Sequence, residues 1–387
     1  MKNIKLTKFL ALLLVFLGLL SIAGCHQNRI PSDDLEDEPT GDVDCEEYPD
    51  HEDCKDDEPE HEHVPCPDCG KCTADDCDGA AEDKCTCDEE PEEEYMFSMG
   101  FTVYPLKDSE GNYLDAYSVG DYIGEDTVVN VPSVYDGKPV IKIKDATFAK
   151  NEKITKVIIP SSIQMLGNNV FSNCTALQEI EFEENSQLAK IPNNAFYKCT
   201  SLKEITIPDS VRVIGDYAFY QCSAINELYI SSNVQAIGRS AFGAMTSLSK
   251  LSVPFIGAGA SDSAEAKVLG YVFDTVHSDF SVQISQKISE TSIKTYYLPT
   301  SLKIIELVEG GYTYLGYGSL SGLSTVESLI LPASFDRLYS EVFSGTTSIG
   351  KIYFRGTSAQ WLEVVGQHST GNKEFLANVE IVYDFAG

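Results

Sequence analysis

From residue 140 onward, apolar positions recur at a nearly fixed distance. Seven stretches align: "VIKIKDATFAKNEKITKVIIP", "IQMLGNNVFSNCTALQEIEF", "LAKIPNNAFYKCTSLKEITIP", "VRVIGDYAFYQCSAINELYI", "VQAIGRSAFGAMTSLSKLSVP", "GYTYLGYGSLSGLSTVESLILP" and "FDRLYSEVFSGTTSIGKIYF". Their aromatic anchors are Phe148, Phe171, Phe196, Phe219, Phe242 and Phe343, with Leu320 standing in once. The spacings are 23, 25, 23 and 23 residues, then 78, then 23. Within a unit, L-x-x-I-x-I-P predicts a short strand: Leu202, Ile205 and Ile207 turn inward and Pro208 ends it. V-x-x-I-G predicts a second inward face, carried by Val211 and Ile214 before Gly215. A-F-x-x-C-x-x-L fits a turn of helix with Ala218, Phe219 and Cys222 inside. One such unit is too small to close a core. Stacked units bury one face on the next, so the expected fold is a β-rich repeat solenoid.

The pattern I-G-x-x-A-F-x-x-C-x-x-L-x-x-I-x-I-P resembles the BspA-like, or Treponema pallidum-type, leucine-rich repeats of bacterial surface proteins. "IGDYAFYQCSAINELYI" matches it closely, and the resemblance covers about residues 130 to 360 with one interruption. It implies an N-terminal β cap over 96–140, repeats over 141–254 and 298–354, an insertion at 255–297 and a C-terminal cap at 355–387. The insertion is large enough for a β-hairpin laid beside the solenoid, with Tyr271, Phe273, Tyr296 and Tyr297 as packing residues. Trp361, the only tryptophan, is expected to cover the last layer. In function the resemblance implies adhesion, to host or extracellular-matrix proteins or to other bacteria.

The N-terminal quarter differs in kind. Lys2, Lys5 and Lys8 precede an apolar run from Phe9 to Ala23, shorter than the roughly 20 residues a membrane-spanning helix needs. That is the layout of an export signal. Ile22-Ala23-Gly24-Cys25 resembles the lipobox of bacterial lipoproteins, with Ile22 in place of the commoner Leu. The resemblance implies a signal peptide over 1–24 and lipid attachment to Cys25, hence an extracytoplasmic protein whose only membrane contact is the anchor. Residues 26 to 95 hold almost no aliphatic side chains and cannot offset chain entropy by burial. They predict a disordered tether that spans roughly 45 Å as a neutral coil and more when charged.

Charge sharpens the division. Of a net −32, residues 31 to 95 carry −26, with 29 acids against three lysines. Such a field repels nucleic acid and anionic membrane, so neither is an expected direct partner. The tether also holds Cys45, Cys54, Cys66, Cys69, Cys72, Cys77, Cys85 and Cys87. The run "CPDCGKC" at Cys66, Cys69 and Cys72 is like a zinc knuckle, and His51, His61 and His63 could add nitrogen ligands. Exported cysteines also form disulfides. Zinc on Cys66, Cys69, Cys72, Cys77, Cys85 and Cys87 therefore stands beside disulfides as an alternative; no other cofactor is expected.

Two further groups fall inside the repeats. Cys174, Cys199 and Cys222 each follow an anchor by three residues, in a slot that elsewhere holds Asn151, Met245, Leu323 and Thr346. That variety marks a packing slot. On the strands, the outward positions read Lys156, Glu179, Glu204, Glu227, Lys250, Ser328, Lys351 and Ile158, Glu181, Thr206, Tyr229, Ser252, Ile330, Tyr353. The candidate binding face is the acidic patch Glu179, Glu181, Glu204 and Glu227 beside Tyr229. Catalysis is not expected: the folded body's two histidines, His277 in the insertion and His368 near the end, lie far apart and in no nucleophile-elbow or metalloprotease motif. The sequence thus reads as a monomeric, non-enzymatic surface protein with an extracellular protein or glycan ligand. Metal capture by the tether and a purely structural envelope role are the rivals.

Overall fold

The computed structural model describes residues 96–259, 263–367 and 371–386. All lie in one compact unit, Glu89–Gly387. The signal, Cys25, the tether with its eight cysteines, and His368 are outside the described residues.

The chain winds as a β-solenoid of about ten turns with repeats of roughly 23 residues. The L-x-x-I-x-I segments form a first ladder of parallel strands in two runs. One run is Val128–Asn130, Lys156–Ile159, Glu179–Phe182 and Glu204–Ile205. The other is Glu227–Tyr229, Lys250–Val253, Ile304–Leu307, Ser328–Leu331, Lys351–Phe354 and Glu380–Val382. Period-two alternation sets the register: Val157, Ile180, Leu228, Leu251, Ile305, Leu329 and Ile352 are all buried in line. The V-x-x-I segments form a second ladder, Lys190–Ile191, Val213–Ile214 and Ala236–Ile237, resumed by Tyr314–Leu315 and Arg337–Leu338.

Between the ladders runs the anchor column. Phe148, Phe171, Phe196 and Phe219 are fully buried and stack at 4.9, 5.3 and 5.2 Å, inside the 4.5–7 Å range of favourable ring pairs. This segment is not the expected turn of helix. It is a pair of tight turns, with a residue at positive φ two places before and two places after each anchor: Tyr217 (55°) and Gln221 (59°) about Phe219, Asn194 (54°) and Lys198 (60°) about Phe196. A helical face would have grouped the A-F-x-x-C run in the same way, so its spacing does not separate the two backbones. The double turn sends Ala218, Phe219 and Cys222 inward together, all with no exposure. Each thiol donates to the carbonyl oxygen of the preceding turn's anchor, Cys174 to Phe148, Cys199 to Phe171 and Cys222 to Phe196, at 3.0–3.1 Å. Thr346, in the same slot, makes the same bond to Leu320 O at 2.6 Å.

The insertion is built into the stack. Lys250–Val253 pairs directly with Ile304–Leu307, so the first ladder passes over it unbroken. Phe273 takes the anchor slot: Phe242 N donates to Val272 O as Phe219 N donates to Ala241 O. The hairpin Ser281–Lys287 and Ile293–Pro299 then enters between the Phe273 turn and the Leu320 turn. Gln286, fully buried, splices the layers: its Oε1 accepts from Gly270 N at 2.6 Å, and its Nε2 donates to Ser319 O and Ser321 O at 3.2 Å. The turns it meets carry Gly318 (φ 63°) and Gly322 (φ 69°), where a Cβ would fall 2.0 and 2.3 Å from the carbonyl oxygens of Lys287 and Ser285. Tyr296 and Phe273 are buried, while Tyr271 and Tyr297 are partly so.

Both ends of the coil are covered. Met96–Ser98, Phe101–Lys107 and Tyr113–Tyr122 form an antiparallel meander whose last strand joins Lys138–Ile143 in parallel. Phe101 meets Phe148 edge-on at 5.6 Å. At the other end, Trp361 on helix Ser358–Gln367 is buried 5.5 Å from Phe354. The last anchor is covered by a different residue, Phe375, stacked 4.1 Å from Phe343. Buried Asn372 supports it, donating to Tyr339 O and accepting from Phe343 N.

Candidate functional site

In a parallel ladder, residues paired across strands stand in rows about 4.8 Å apart. One outward row runs Lys156, Glu179, Glu204 in the first run and Glu227, Lys250, Ile304, Ser328, Lys351, Glu380 in the second. The next runs Ile158, Glu181, then Tyr229, Ser252, Glu306, Ile330, Tyr353, Val382, and here Ser252, Glu306 and Ile330 are buried rather than solvent-facing as the alternation predicts. The ladder is interrupted between Glu204–Ile205 and Glu227–Tyr229, and Thr206 lies just past the shorter strand.

The five residues of the acidic patch do not behave as one group. Lys156 Nζ reaches both Glu179 (2.8 Å) and Glu181 (2.6 Å), so those two carboxylates share one positive charge. The same bonds hold the Lys156 ammonium above its ordinary pKa. Glu204 and Glu227 flank the ladder break, both exposed, and among the described residues neither has an ion-pair partner. Tyr229 is 60 % exposed beside Glu227. Lys250, which faces Glu227 across the ladder, turns instead toward Glu306.

Glu306 is the residue that sequence reasoning missed on this face. Its side chain is only 9 % exposed. Oε2 accepts from Ser252 Oγ and from Lys250 Nζ, both at 2.8 Å, and Oε1 accepts from Arg355 NH2 at 2.7 Å. Burial pushes its pKa up, but the bonds from Lys250 and Ser252 and the two positive charges outweigh that and hold it below the usual carboxylate range. The signal was the strand "KIIEL", hidden because the insertion displaces it from the 23-residue period.

The buried cysteines offer no chemistry to a ligand. Desolvation pushes the Cys174 thiol up to about 12 and the Cys199 and Cys222 thiols well above their ordinary value. All three remain thiols at neutral pH, with their protons engaged by carbonyl oxygens. The zinc reading concerns tether residues and lies outside the described part of the chain.

Against known proteins, residues 141–258 and 266–380 match the BspA type leucine rich repeat region, in six copies. Among solved structures, the chain is similar to a leucine rich repeat protein of T. pallidum: 25 % identity, 46 % of this chain and 91 % of that one, TM-score 0.38. It is also similar to a leucine rich cell surface protein from Faecalibacterium prausnitzii A2-165, at 16 % identity over 75 % and 95 % of the two chains, TM-score 0.39. A third likeness is to the pneumococcal vaccine antigen PcpA, at 14 % identity over 75 % and 98 %, TM-score 0.27. No curated protein matches this sequence.

Proposed function

The chain belongs to the BspA-type leucine rich repeat family, and from that premise we propose that it is a non-catalytic binding protein of the bacterial surface. Lipid on Cys25 holds it to the outside of the cytoplasmic membrane, and the acidic tether carries the solenoid outward. The ligand is an extracellular protein, and it docks on the outward face of the first ladder. One observation carries this reading: Glu204, Glu227 and Tyr229 stand exposed at the break in the ladder with no ion-pair partner among the described residues, while the neighbouring Glu179 and Glu181 share the Lys156 ammonium. Two uncompensated carboxylates beside a large exposed ring favour a basic patch on the partner. Such charges set orientation and association rate, and the ring adds contact area.

The test is a binding array of extracellular proteins probed with the full chain and with Glu204→Lys/Glu227→Lys and Tyr229→Ala. The best ligand should weaken by roughly tenfold in each, since one hot-spot contact is worth about 1.4 kcal/mol. Circular dichroism should not change. Undiminished binding by both variants removes this face from consideration. Cys25→Ser should move the protein from the membrane fraction to the medium; retention at the membrane would end the lipid-anchor reading.

A further inference from the structure

The second ladder carries a row of rings that the reading above does not use. Phe255 meets Tyr312 at 5.2 Å, Tyr312 stacks on Tyr314 at 5.3 Å, and Tyr314 meets Tyr339 edge-on at 5.7 Å. They belong to three successive layers: Tyr312 N donates to Pro254 O, and Tyr314 pairs with Arg337 across the ladder. Tyr314 and Tyr339 are 41 % and 39 % exposed. In the earlier turns the slot of Tyr314 holds Lys190, Val213 and Ala236, so the exposed tyrosines appear only in the turns after the insertion.

One groove opens at the Phe255–Tyr312 end of the row, and a second is lined by Arg337, the ladder partner of Tyr314. The first, of about 240 Å³, is lined by Phe255, Tyr312, Gly310, Gly311, Ser232 and Gln235. The other, of about 460 Å³, lies between the last turns and the C-terminal helix and is lined by Asp336, Arg337, Gln360 and Glu363 among others. Gly310 (φ 79°) and Gly311 leave bare backbone beside the first ring.

We propose that this row is a binding site for a neutral oligosaccharide chain. A sugar ring offers a flat C–H face and a rim of hydroxyls. Exposed tyrosine rings meet the first, and amide, hydroxyl and backbone groups at their edges meet the second. A linear polymer of such units matches a linear array of rings, one layer of solenoid to the next. Charge argues against an ionic ligand. Among the described residues, the groove at Phe255 and Tyr312 has no charged residue in its lining, and the second sets Arg337 against Asp336 and Glu363, with Asp336 accepting from Thr313 Oγ1 at 3.1 Å. The row lies on a different sheet from Glu204, Glu227 and Tyr229, so the two sites can fail separately.

The experiment runs the full chain through native gels containing a β-1,3/1,4-glucan, an α-mannan or amylose, with heparin and gelatin as ionic and protein probes. A polyoxyethylene detergent keeps sugar headgroups out. At least one neutral glycan should retard the protein. Tyr314→Ala should weaken that retardation by roughly tenfold, the loss of one aromatic hot spot. Tyr314→Phe, which keeps the ring, should largely retain it, and Tyr229→Ala should leave it unchanged. Matching circular dichroism melts separate lost binding from lost folding. The proposal is overturned if no neutral glycan retards the chain or if Tyr314→Ala is retarded like the parent. It is equally overturned if heparin or gelatin is the probe whose binding depends on Tyr314.

Discussion

Replacing Glu306 by Gln tests whether the first ladder is held by charge as well as by packing. Glutamine has nearly the same shape and can still accept from Ser252 Oγ. It cannot balance Lys250 and Arg355, which approach the two carboxylate oxygens at 2.8 and 2.7 Å. Its amide nitrogen would meet one of these donors head-on. Removing one member of a fully buried ion pair costs about 3–5 kcal/mol. Here the acid is buried, but Lys250 and Arg355 are 30 % and 27 % exposed and can turn toward water. The discounted cost is about 2 kcal/mol. That is a large share of the roughly 5–15 kcal/mol by which domains are stable, and corresponds to a melting shift of several degrees. Urea unfolding followed by circular dichroism measures it. The pH dependence fixes the cause. The folded-state pKa of Glu306 lies below its unfolded value. Its contribution is therefore complete above the unfolded pKa of about 4.3 and is lost as pH falls through the folded pKa. The deficit of Glu306→Gln should be constant from about pH 6 to 8 and shrink below about pH 4. Adding Lys250→Met should recover part of it by removing the stranded cation. A deficit under about 0.5 kcal/mol at neutral pH, the scatter of ordinary surface substitutions, would refute this account. So would one that persists undiminished in acid.

Two other outcomes follow from buried hydrogen bonds. Gln286→Ala strands Gly270 N and Ser321 O between layers, while Ser319 O keeps its bond from Leu269 N; at about 1–3 kcal/mol for each unsatisfied group the chain should lose at least about 2 kcal/mol in urea titration, and a loss near zero would mean the hairpin is not spliced into the stack. In the native chain at neutral pH, iodoacetamide should leave Cys174, Cys199 and Cys222 unmodified and should label all three in urea, as read by peptide mass spectrometry; native labelling would show that the thiol column opens readily.

The fold was legible wherever packing alone selects the residue. Phe148, Phe171, Phe196, Phe219 and Phe242 face their equivalents one turn away, so a large apolar side chain is needed there, with Leu320 the one aliphatic substitute, and the period survives in the letters. The backbone that presents them was not legible. The positive-φ slots flanking the anchors hold Ala146, Asn169, Asn194, Tyr217 and Ser240 before, and Lys150, Asn173, Lys198, Gln221 and Ala244 after. Only in the last two turns do glycines appear there, at Gly318, Gly322 and Gly345. A tyrosine in the left-handed region costs on the order of 1–2 kcal/mol, which the buried anchor between the turns offsets, so the turn leaves no glycine signature. A-F-x-x-C then has the spacing of a helical face and invites the wrong element. Phe273 was legible as a packing residue but not as an anchor, because 31 residues separate it from Phe242 and 47 from Leu320.

The candidate site divides along the same line. Glu179, Glu204, Glu227 and Tyr229 follow from strand alternation and a fixed period, both of which are local. Whether a carboxylate is free or paired depends on partners a turn or more away: Lys156 is 23 residues from Glu179, and Ser252 and Arg355 are 54 and 49 residues from Glu306. The insertion adds a second, longer-range consequence. Because Lys250–Val253 pairs with Ile304–Leu307 as if nothing lay between them, the extra residues leave the first ladder's outward rows continuous. They change instead what stacks behind those rows and what the second ladder presents next, where Tyr312 and Tyr314 follow Pro254 and Phe255. In a solenoid whose layers touch only their neighbours, such a change stays local. The acidic break at Glu204 and Glu227 and the tyrosine row at Tyr314 should therefore respond independently to mutation. A variant at one that altered binding at the other would mean the stack transmits strain over several layers.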